Sequence, residues 1–150
     1  MKRWGWIFGV LALALGVVVF VRPWGGAEAA ALPPVPEGGF AELDVRTLKS
    51  LLDDPERAFV LVNVHVPYEG EIPGTDLQFP YDQVAVYAAK LLPDRDRPIV
   101  VYCRSGAMSR IAVEALVQLG YTRVYNVPGG MQAWRAAGFP LVFKESGGNR

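Results

Sequence analysis

Cys103 is the residue whose type and position best suit chemistry in this sequence. It is the only cysteine of the 150 residues, and it directly follows an apolar, β-branched run at 98–102. Such a run is typical of a parallel strand that is buried on both faces. In open α/β sheets, ligands bind at the edge where the strands end. We therefore predict that Cys103 lies in a site at the end of a strand and acts there as a nucleophile.

The residues that follow Cys103 predict a cradle for an anion. A loop that runs into a helix N-terminus turns several backbone N–H groups inward, beside the positive end of the helix dipole. Such a nest stabilises a thiolate, and it equally stabilises the terminal sulfur of a persulfide anion. A glycine in the loop allows close folding of the backbone, the serines are expected to donate or to cap the helix, and the arginine is expected to attract an anionic donor. The predicted substrate-binding residues are Arg104, Ser105, Gly106, Ala107, Met108 and Ser109.

Composition removes several other kinds of chemistry. Fifteen basic residues balance fifteen acidic ones, so no overall positive field would attract nucleic acid, and none is expected as a partner. One cysteine and one histidine, His65, exclude an intrachain disulfide, a CxxC redox pair and a zinc site built on two cysteines. We expect no metal. A lone cysteine that closes a buried strand is also compatible with an inert small hydrophobe.

Alternating strands and helices must position this loop. Their order implies an α/β fold with a twisted parallel sheet that is covered by helices on both faces. Residues 67–81 read mostly as loop, with room for a short strand at 77–79. We expect strands at 40–45, 59–64, 98–102 and 124–127. We expect helices at 47–52, at 82–92 with Asp82 as its cap, from 106 or 109 to 119, and from the Gly129-Gly130 turn to 137. Glu69 and Glu71 are expected on a solvated surface, and Trp134 in the core.

The N-terminal residues predict export. Residues 1–24 carry Lys2 and Arg3 ahead of an apolar run of membrane-spanning length, and they read either as a transmembrane anchor in an apolar helix or as a cleaved signal peptide. Both place the domain on the extracytoplasmic side, membrane-anchored in one case and secreted or periplasmic in the other. Residues 25–38 form a proline/glycine-rich linker, expected to be extended rather than packed. The domain is expected at 39–143 and a flexible tail at 144–150.

The loop resembles a known family. Tyr102-Cys103-Arg104-Ser105-Gly106 is similar to the active-site loop opening of the rhodanese family, and the likeness covers about residues 40–142. The C-terminal segments that match in order and spacing are Leu119-Gly120-Tyr121, Val124-Tyr125-Asn126-Val127, Gly129-Gly130, Ala133-Trp134 and Gly138-Phe139-Pro140. The resemblance implies a rhodanese-like fold and a sulfurtransferase without metal or organic cofactor. It also implies that sulfane sulfur passes from thiosulfate or a persulfide, through a persulfide on Cys103, to a thiol or cyanide. No protein acceptor is indicated.

Three departures from the family pattern bear on the sulfur donor. Met108 stands where the loop usually has arginine, Asn63-Val64-His65 replaces an Asp-x-Arg motif, and Glu71-Ile72-Pro73-Gly74 replaces His-Ile-Pro-Gly. Backbone N–H groups do not depend on side-chain identity, so these changes affect the donor more than the persulfide. Weak activity with thiosulfate is therefore compatible with the sequence.

Two alternatives remain at this point. One is a non-catalytic module that binds sulfur or anions or senses redox state, which Met108 and His65 favour. The other is a cysteine-dependent phosphatase or arsenate reductase, which needs an arginine six residues after the cysteine to clamp an oxyanion. Ser109 occupies that position and Arg110 is one residue too far, so this alternative is weaker. Arg110 and His65 are additional candidate site residues.

Overall fold

The computed structural model describes residues 31–144, and within them the chain forms one five-stranded sheet with parallel neighbours. The strand order is β1-β5-β4-β2-β3. The strands are β1 Ala41–Glu42, β2 Val60–Asn63, β3 Leu77–Gln78, β4 Ile99–Tyr102 and β5 Val124–Asn126. The helices are α1 Val45–Leu52, α2 Val84–Leu91, α3 Ala107–Gln118 and α4 Gly130–Ala136. The predicted parallel α/β fold is confirmed.

The two central strands bring Cys103 to the edge of the sheet. Every residue of β2 and β4 is buried, as expected for β-branched runs covered on both faces. Their register pairs Asn63 with Tyr102, so both strands end at the same level. Cys103 is the first residue beyond β4. The loop after β2 therefore lies beside the residues that follow Cys103.

Alternation along the strands divides the core into two layers. Val62, Val64 and Cys103 face a layer that contains side chains of α2 and α3. Leu61 and Tyr102 face the opposite layer, which contains side chains of α1 and α4. Successive side chains of a strand point to opposite faces, so the Cys103 side chain points towards the α3 side. Trp134 is 1% exposed in the second layer, and its predicted core position is confirmed.

Helix starts differ from the predicted ones. α1 begins at Val45, because the Asp44 carboxylate accepts bonds from the N–H groups of Arg46 and Thr47 at 2.9 and 3.0 Å. This cap shortens the predicted strand at 40–45 to two residues. The prediction that Asp82 caps the next helix is wrong. Asp82 lies inside a 3-10 turn, Tyr81–Gln83, ahead of α2.

The predicted linker packs in part on the domain, against expectation. Leu32 and Val35 lie against the second core layer, and the Tyr125 hydroxyl donates to the Pro33 carbonyl at 3.1 Å. Burial of leucine and valine against this layer is favourable, and it accounts for the packing. Residues 1–30, which hold the predicted anchor or signal peptide and the start of the linker, and residues 145–150 of the predicted tail fall outside the described part. No helix within 31–144 has the length and apolar character needed to cross a bilayer.

Candidate active site

Cys103 lies between the end of β4 and the start of α3. The residue is 1% exposed. α3 begins at Ala107, and Gly106 precedes it with φ +103°, a conformation that costs little only for glycine. This turn directs the Gly106 N–H group to the Cys103 sulfur, with N and Sγ 3.0 Å apart. This N–H group is one of the backbone donors that were predicted to face the sulfur.

The cradle lowers the pKa of Cys103. Burial by itself raises the pKa of the thiol, because it disfavours the charged form. Hydrogen bonds from the Ser109 hydroxyl and from the N–H groups of Ser109, Gly106 and Ser105 stabilise the thiolate and outweigh burial. The net shift is downward from the ordinary value. The sulfur is thus prepared as a nucleophile, and the same donors would stabilise a persulfide anion in its place.

Ser109 supports the sulfur rather than the helix end. It was expected as a helix cap or a donor, but Gly106 holds the cap position and Ser109 is fully buried on the first turn of α3. Its hydroxyl lies 3.1 Å from the Gly106 carbonyl, which also accepts from the Arg110 N–H group at 3.2 Å. Ser109 has a single hydroxyl hydrogen. When that hydrogen points to the Cys103 thiolate, the Gly106 carbonyl still accepts from the Arg110 N–H group.

The N-terminus of α4 orients the peptide planes of the loop. The N–H group of Met131 donates to the Cys103 carbonyl at 2.9 Å, and that of Gln132 donates to the Arg104 carbonyl at 3.0 Å. In a trans peptide the C=O and the following N–H point in opposite directions. Because α4 holds these two carbonyls, the N–H groups of Arg104 and Ser105 are turned away from α4. One of them, the Ser105 N–H, is among the donors to the sulfur.

Gly130 makes this approach possible. A Cβ atom on Gly130 would lie 2.0 Å from the Cys103 carbonyl oxygen and 3.2 Å from the Arg104 carbonyl carbon. Both distances are shorter than van der Waals contact, so only glycine allows α4 to reach the loop. The prediction from sequence did not include Gly130 among the site residues. The Gly129-Gly130 pair was the available signal, since paired glycines often mark a close backbone approach.

The Arg104 side chain lies at the rim of the loop and is paired with Glu69. Arg104 Nη1 is 3.5 Å from Glu69 Oε1, and both side chains are partly exposed. His65 Nε2 contacts the other carboxylate oxygen of Glu69, and His65 is buried. His65 thus reaches the Arg104 side chain through Glu69, which was predicted only to lie on a solvated surface.

The loop after β2 is held in place from two sides. Asn63 Nδ2 donates to the Gly70 carbonyl at 3.2 Å, and its Oδ1 accepts from the His65 N–H group at 3.0 Å. Glu71 forms a backbone bridge with Val142 near the end of the described chain. The expectation of a solvated Glu71 is wrong, since it is 4% exposed and its carboxylate lies 3.1 Å from Lys144 Nζ. The backbone bridge between Glu71 and Val142 covers the Glu71 side chain.

Some of the remaining predicted site residues lie at the loop, and Arg110 is directed away from it. Ser105 is exposed in the loop and Ala107 is exposed at the start of α3, while Met108 packs against the first core layer. Arg110 was a candidate site residue, but its guanidinium lies 3.7 Å from Glu42 and 3.4 Å from Glu114, over the ring of Phe40. None of these three partners belongs to the loop. Within residues 31–144, no group of three His, Cys, Asp or Glu side chains is placed to hold a metal.

A parallel five-stranded sheet with a lowered-pKa cysteine in a cradle of amides defines a cysteine-loop α/β domain. The model of the rhodanese-like domain matches residues 44–137. A protein named sulfurtransferase from Allochromatium vinosum is 40% identical over 107 residues, which are 69% of this chain and 96% of that protein. The chain belongs to the rhodanese-like family.

Two further relatives agree with this assignment. Thiosulfate sulfurtransferase GlpE from Actinobacillus pleuropneumoniae is 40% identical over 48 residues, which cover 32% of this chain and 44% of that protein. The crystal structure of a rhodanese-related protein from Thermoplasma volcanium superposes with a TM-score of 0.58 and 28% identity, over 69% of this chain and 99% of that one. The relatives named sulfurtransferase support sulfur transfer as the general chemistry.

Proposed function

We propose that this protein moves sulfane sulfur through a persulfide on Cys103. The observation that carries the proposal is the Gly106 N–H group 3.0 Å from the buried Cys103 sulfur. Beside it, Ser105 and Ser109 contribute to the lowered pKa of Cys103. Donors in fixed positions stabilise a negative charge without reorganisation. The same cradle therefore serves the thiolate that attacks and the persulfide anion that results.

The reaction has two displacement steps at sulfur. The Cys103 thiolate attacks the sulfane sulfur of the donor, a new S–S bond forms, and the old bond to sulfur breaks with its electron pair on the leaving group. The leaving group is sulfite when the donor is thiosulfate, and a thiolate when the donor is a persulfide. An acceptor, cyanide or a thiolate, then attacks the terminal sulfur and releases the Cys103 thiolate. No net redox change or cofactor is required.

Mass spectrometry of the purified chain tests the first step. After incubation with thiosulfate or a polysulfide, we expect one added sulfur atom in the unaltered protein and none in Cys103→Ser. Addition of cyanide should then remove that atom and yield thiocyanate over many turnovers. No added sulfur from any donor would refute sulfur transfer. Sulfur that is added but never released to an acceptor would favour a non-catalytic binding or sensing module.

We also propose that the domain works on the extracytoplasmic side of a membrane. This rests on the sequence of residues 1–24, in which Lys2 and Arg3 precede the apolar run. Alkaline phosphatase requires disulfides that form only in an oxidising compartment. A fusion of this enzyme after Lys144 should therefore be active in cells. An inactive fusion of full length would refute the proposed location.

A further inference from the structure

Burial of Cys103 places most of any donor molecule at the rim of the loop. Cys103 is 1% exposed, so a donor presents its sulfane sulfur to the cradle and leaves its other atoms outside. The Arg104 side chain lies at that rim, next to Glu69. Charged groups of the donor other than its sulfane sulfur therefore interact with these two side chains.

The rim has both positive and negative charge. The positive charge is on the Arg104 side chain, which directly follows Cys103, and the negative charge is on Glu69. Arg104 is the only charged residue in the segment 104–109, and Glu69 partly neutralises it at 3.5 Å. Such a pair suits a ligand that carries both charges better than one that carries only negative charge.

His65 keeps the Glu69 carboxylate at this position. His65 is buried and contacts one carboxylate oxygen, while the other faces Arg104. The Asn63 side chain closes the same loop by bonding the Gly70 carbonyl and the His65 N–H group. A surface glutamate usually moves away from an arriving anion at little cost. Held by His65, Glu69 stays and repels the anion.

We propose that Glu69 is a specificity-determining residue, which favours persulfide donors with an ammonium group and disfavours thiosulfate. The ligand class is the persulfide of an amino acid or short peptide, with its carboxylate near Arg104 and its ammonium group near Glu69. This inference rests on the proposed sulfur transfer and adds the donor class. Thiosulfate has two negative charges and no cation for Glu69 to bind.

Two donors that differ only by the ammonium group test the inference. They are cysteine persulfide and the persulfide of 3-mercaptopropionate, and thiosulfate is measured beside them. The variants are Glu69→Gln and, as a matched control, Glu114→Gln. Glu114 is also an exposed carboxylate paired with an arginine, Arg110, on α3, so both variants lose the same charge.

We expect Glu69→Gln to raise kcat/KM for thiosulfate about three- to ten-fold, through KM. This is the effect of removing one charge several ångströms from a dianion in screened water. The unaltered protein should prefer cysteine persulfide to its deaminated analogue, and Glu69→Gln should lose that preference. Glu114→Gln should leave all three donors unchanged. His65→Leu, which removes the ring nitrogen that contacts the Glu69 carboxylate, should move the same ratios in the same direction by less.

Two results would overturn the inference. One is an equal loss with all donors in Glu69→Gln, which would mean that Glu69 only supports the fold of its loop. The other is an unchanged ratio between donors. In either case a persulfide that still forms on Cys103 would leave the proposed function standing. If Cys103 accepts sulfur from none of the three donors, it is the proposed function that fails.

Discussion

Replacement of Gly130 by alanine tests whether α4 orients the donors to the Cys103 sulfur. The new methyl group would lie 2.0 Å from the Cys103 carbonyl oxygen and 2.8 Å from its carbon. The loop and α4 must separate to remove this overlap. Separation breaks the two bonds from the N–H groups of Met131 and Gln132 to the loop carbonyls. The peptide planes are then free to rotate, and the Ser105 N–H group is no longer held towards the sulfur.

The cost in stability follows from two contributions. Gly130 has φ +48°, and a non-glycine residue in this left-handed region costs about 1–2 kcal/mol. Each lost backbone hydrogen bond costs about 0.5–1.5 kcal/mol. We therefore expect Gly130→Ala to lower the free energy of unfolding by about 2–5 kcal/mol in total. Gly38→Ala is the matched control, because Gly38 has φ +65° but no atom within 4 Å of the added methyl group. It should lose only the first contribution.

Reactivity of the thiol separates orientation from stability. The rate of alkylation by iodoacetamide follows the thiolate fraction, so it rises with pH through the pKa of Cys103. Because the cradle lowers this pKa, the midpoint in the unaltered protein should lie below that of a free cysteine. In folded Gly130→Ala the pKa should rise, the midpoint should move to higher pH, and sulfur transfer at neutral pH should fall about ten-fold or more. Gly38→Ala should keep the original midpoint.

One outcome would refute the reasoning about α4. If Gly130→Ala is destabilised but alkylates with the midpoint of the unaltered protein, the loop keeps its amides in place without α4. Denaturant titration of both variants, measured on the same preparations, shows whether the alkylation was recorded on folded protein.

Four further substitutions have distinct expected results. Ser109→Ala removes a hydroxyl that lowers the pKa of Cys103, so alkylation at neutral pH should slow about ten-fold. Ser105→Ala keeps its backbone donor and should change the alkylation rate little. Equal effects of the two substitutions would contradict the assignment. Tyr102→Phe leaves the Ile72 N–H group without its 2.9 Å acceptor. The free energy of unfolding, measured in urea, should fall by about 1–3 kcal/mol. An unchanged value would mean that the Ile72 N–H group finds another acceptor. Arg110→Gln should leave sulfur transfer unchanged, because its partners lie outside the loop; a large loss of kcat would place this arginine in the site after all.

The position of the nucleophile was predictable because it depends on local sequence. The β-branched run before Cys103, the glycine at 106 and the helix pattern after it are all within twenty residues. A buried strand, a glycine-containing loop and a helix start can be predicted from them without knowing the rest of the fold. The structure confirms the strand and the helix, and it adds the left-handed conformation of Gly106. Asp82 was predicted as a cap by the same local logic, but a 3-10 turn precedes the helix and moves its start to Val84.

The surroundings of the nucleophile were decided by contacts between distant residues. Glu69 and Arg104 are thirty-five positions apart, and Arg110 turns to Glu42 because β1 lies at the sheet edge next to β5. Residue types alone do not reveal such pairs, since any exposed carboxylate is a plausible partner for any arginine. Glu71 was expected in solvent because its contact is also with a distant residue. The backbone bridge to Val142, seventy-one positions away, covers it.

By itself, the sequence determined that a cysteine would follow a buried parallel strand and that a glycine-containing loop would enclose its sulfur. Both features follow from neighbouring residues, which set the backbone geometry and the burial of apolar runs. Only the tertiary structure decided which way the loop peptides face and which charges stand at the rim. Those features depend on α4 reaching the loop at Gly130 and on His65 holding Glu69. Both require elements that are brought together by the order of the strands in the sheet.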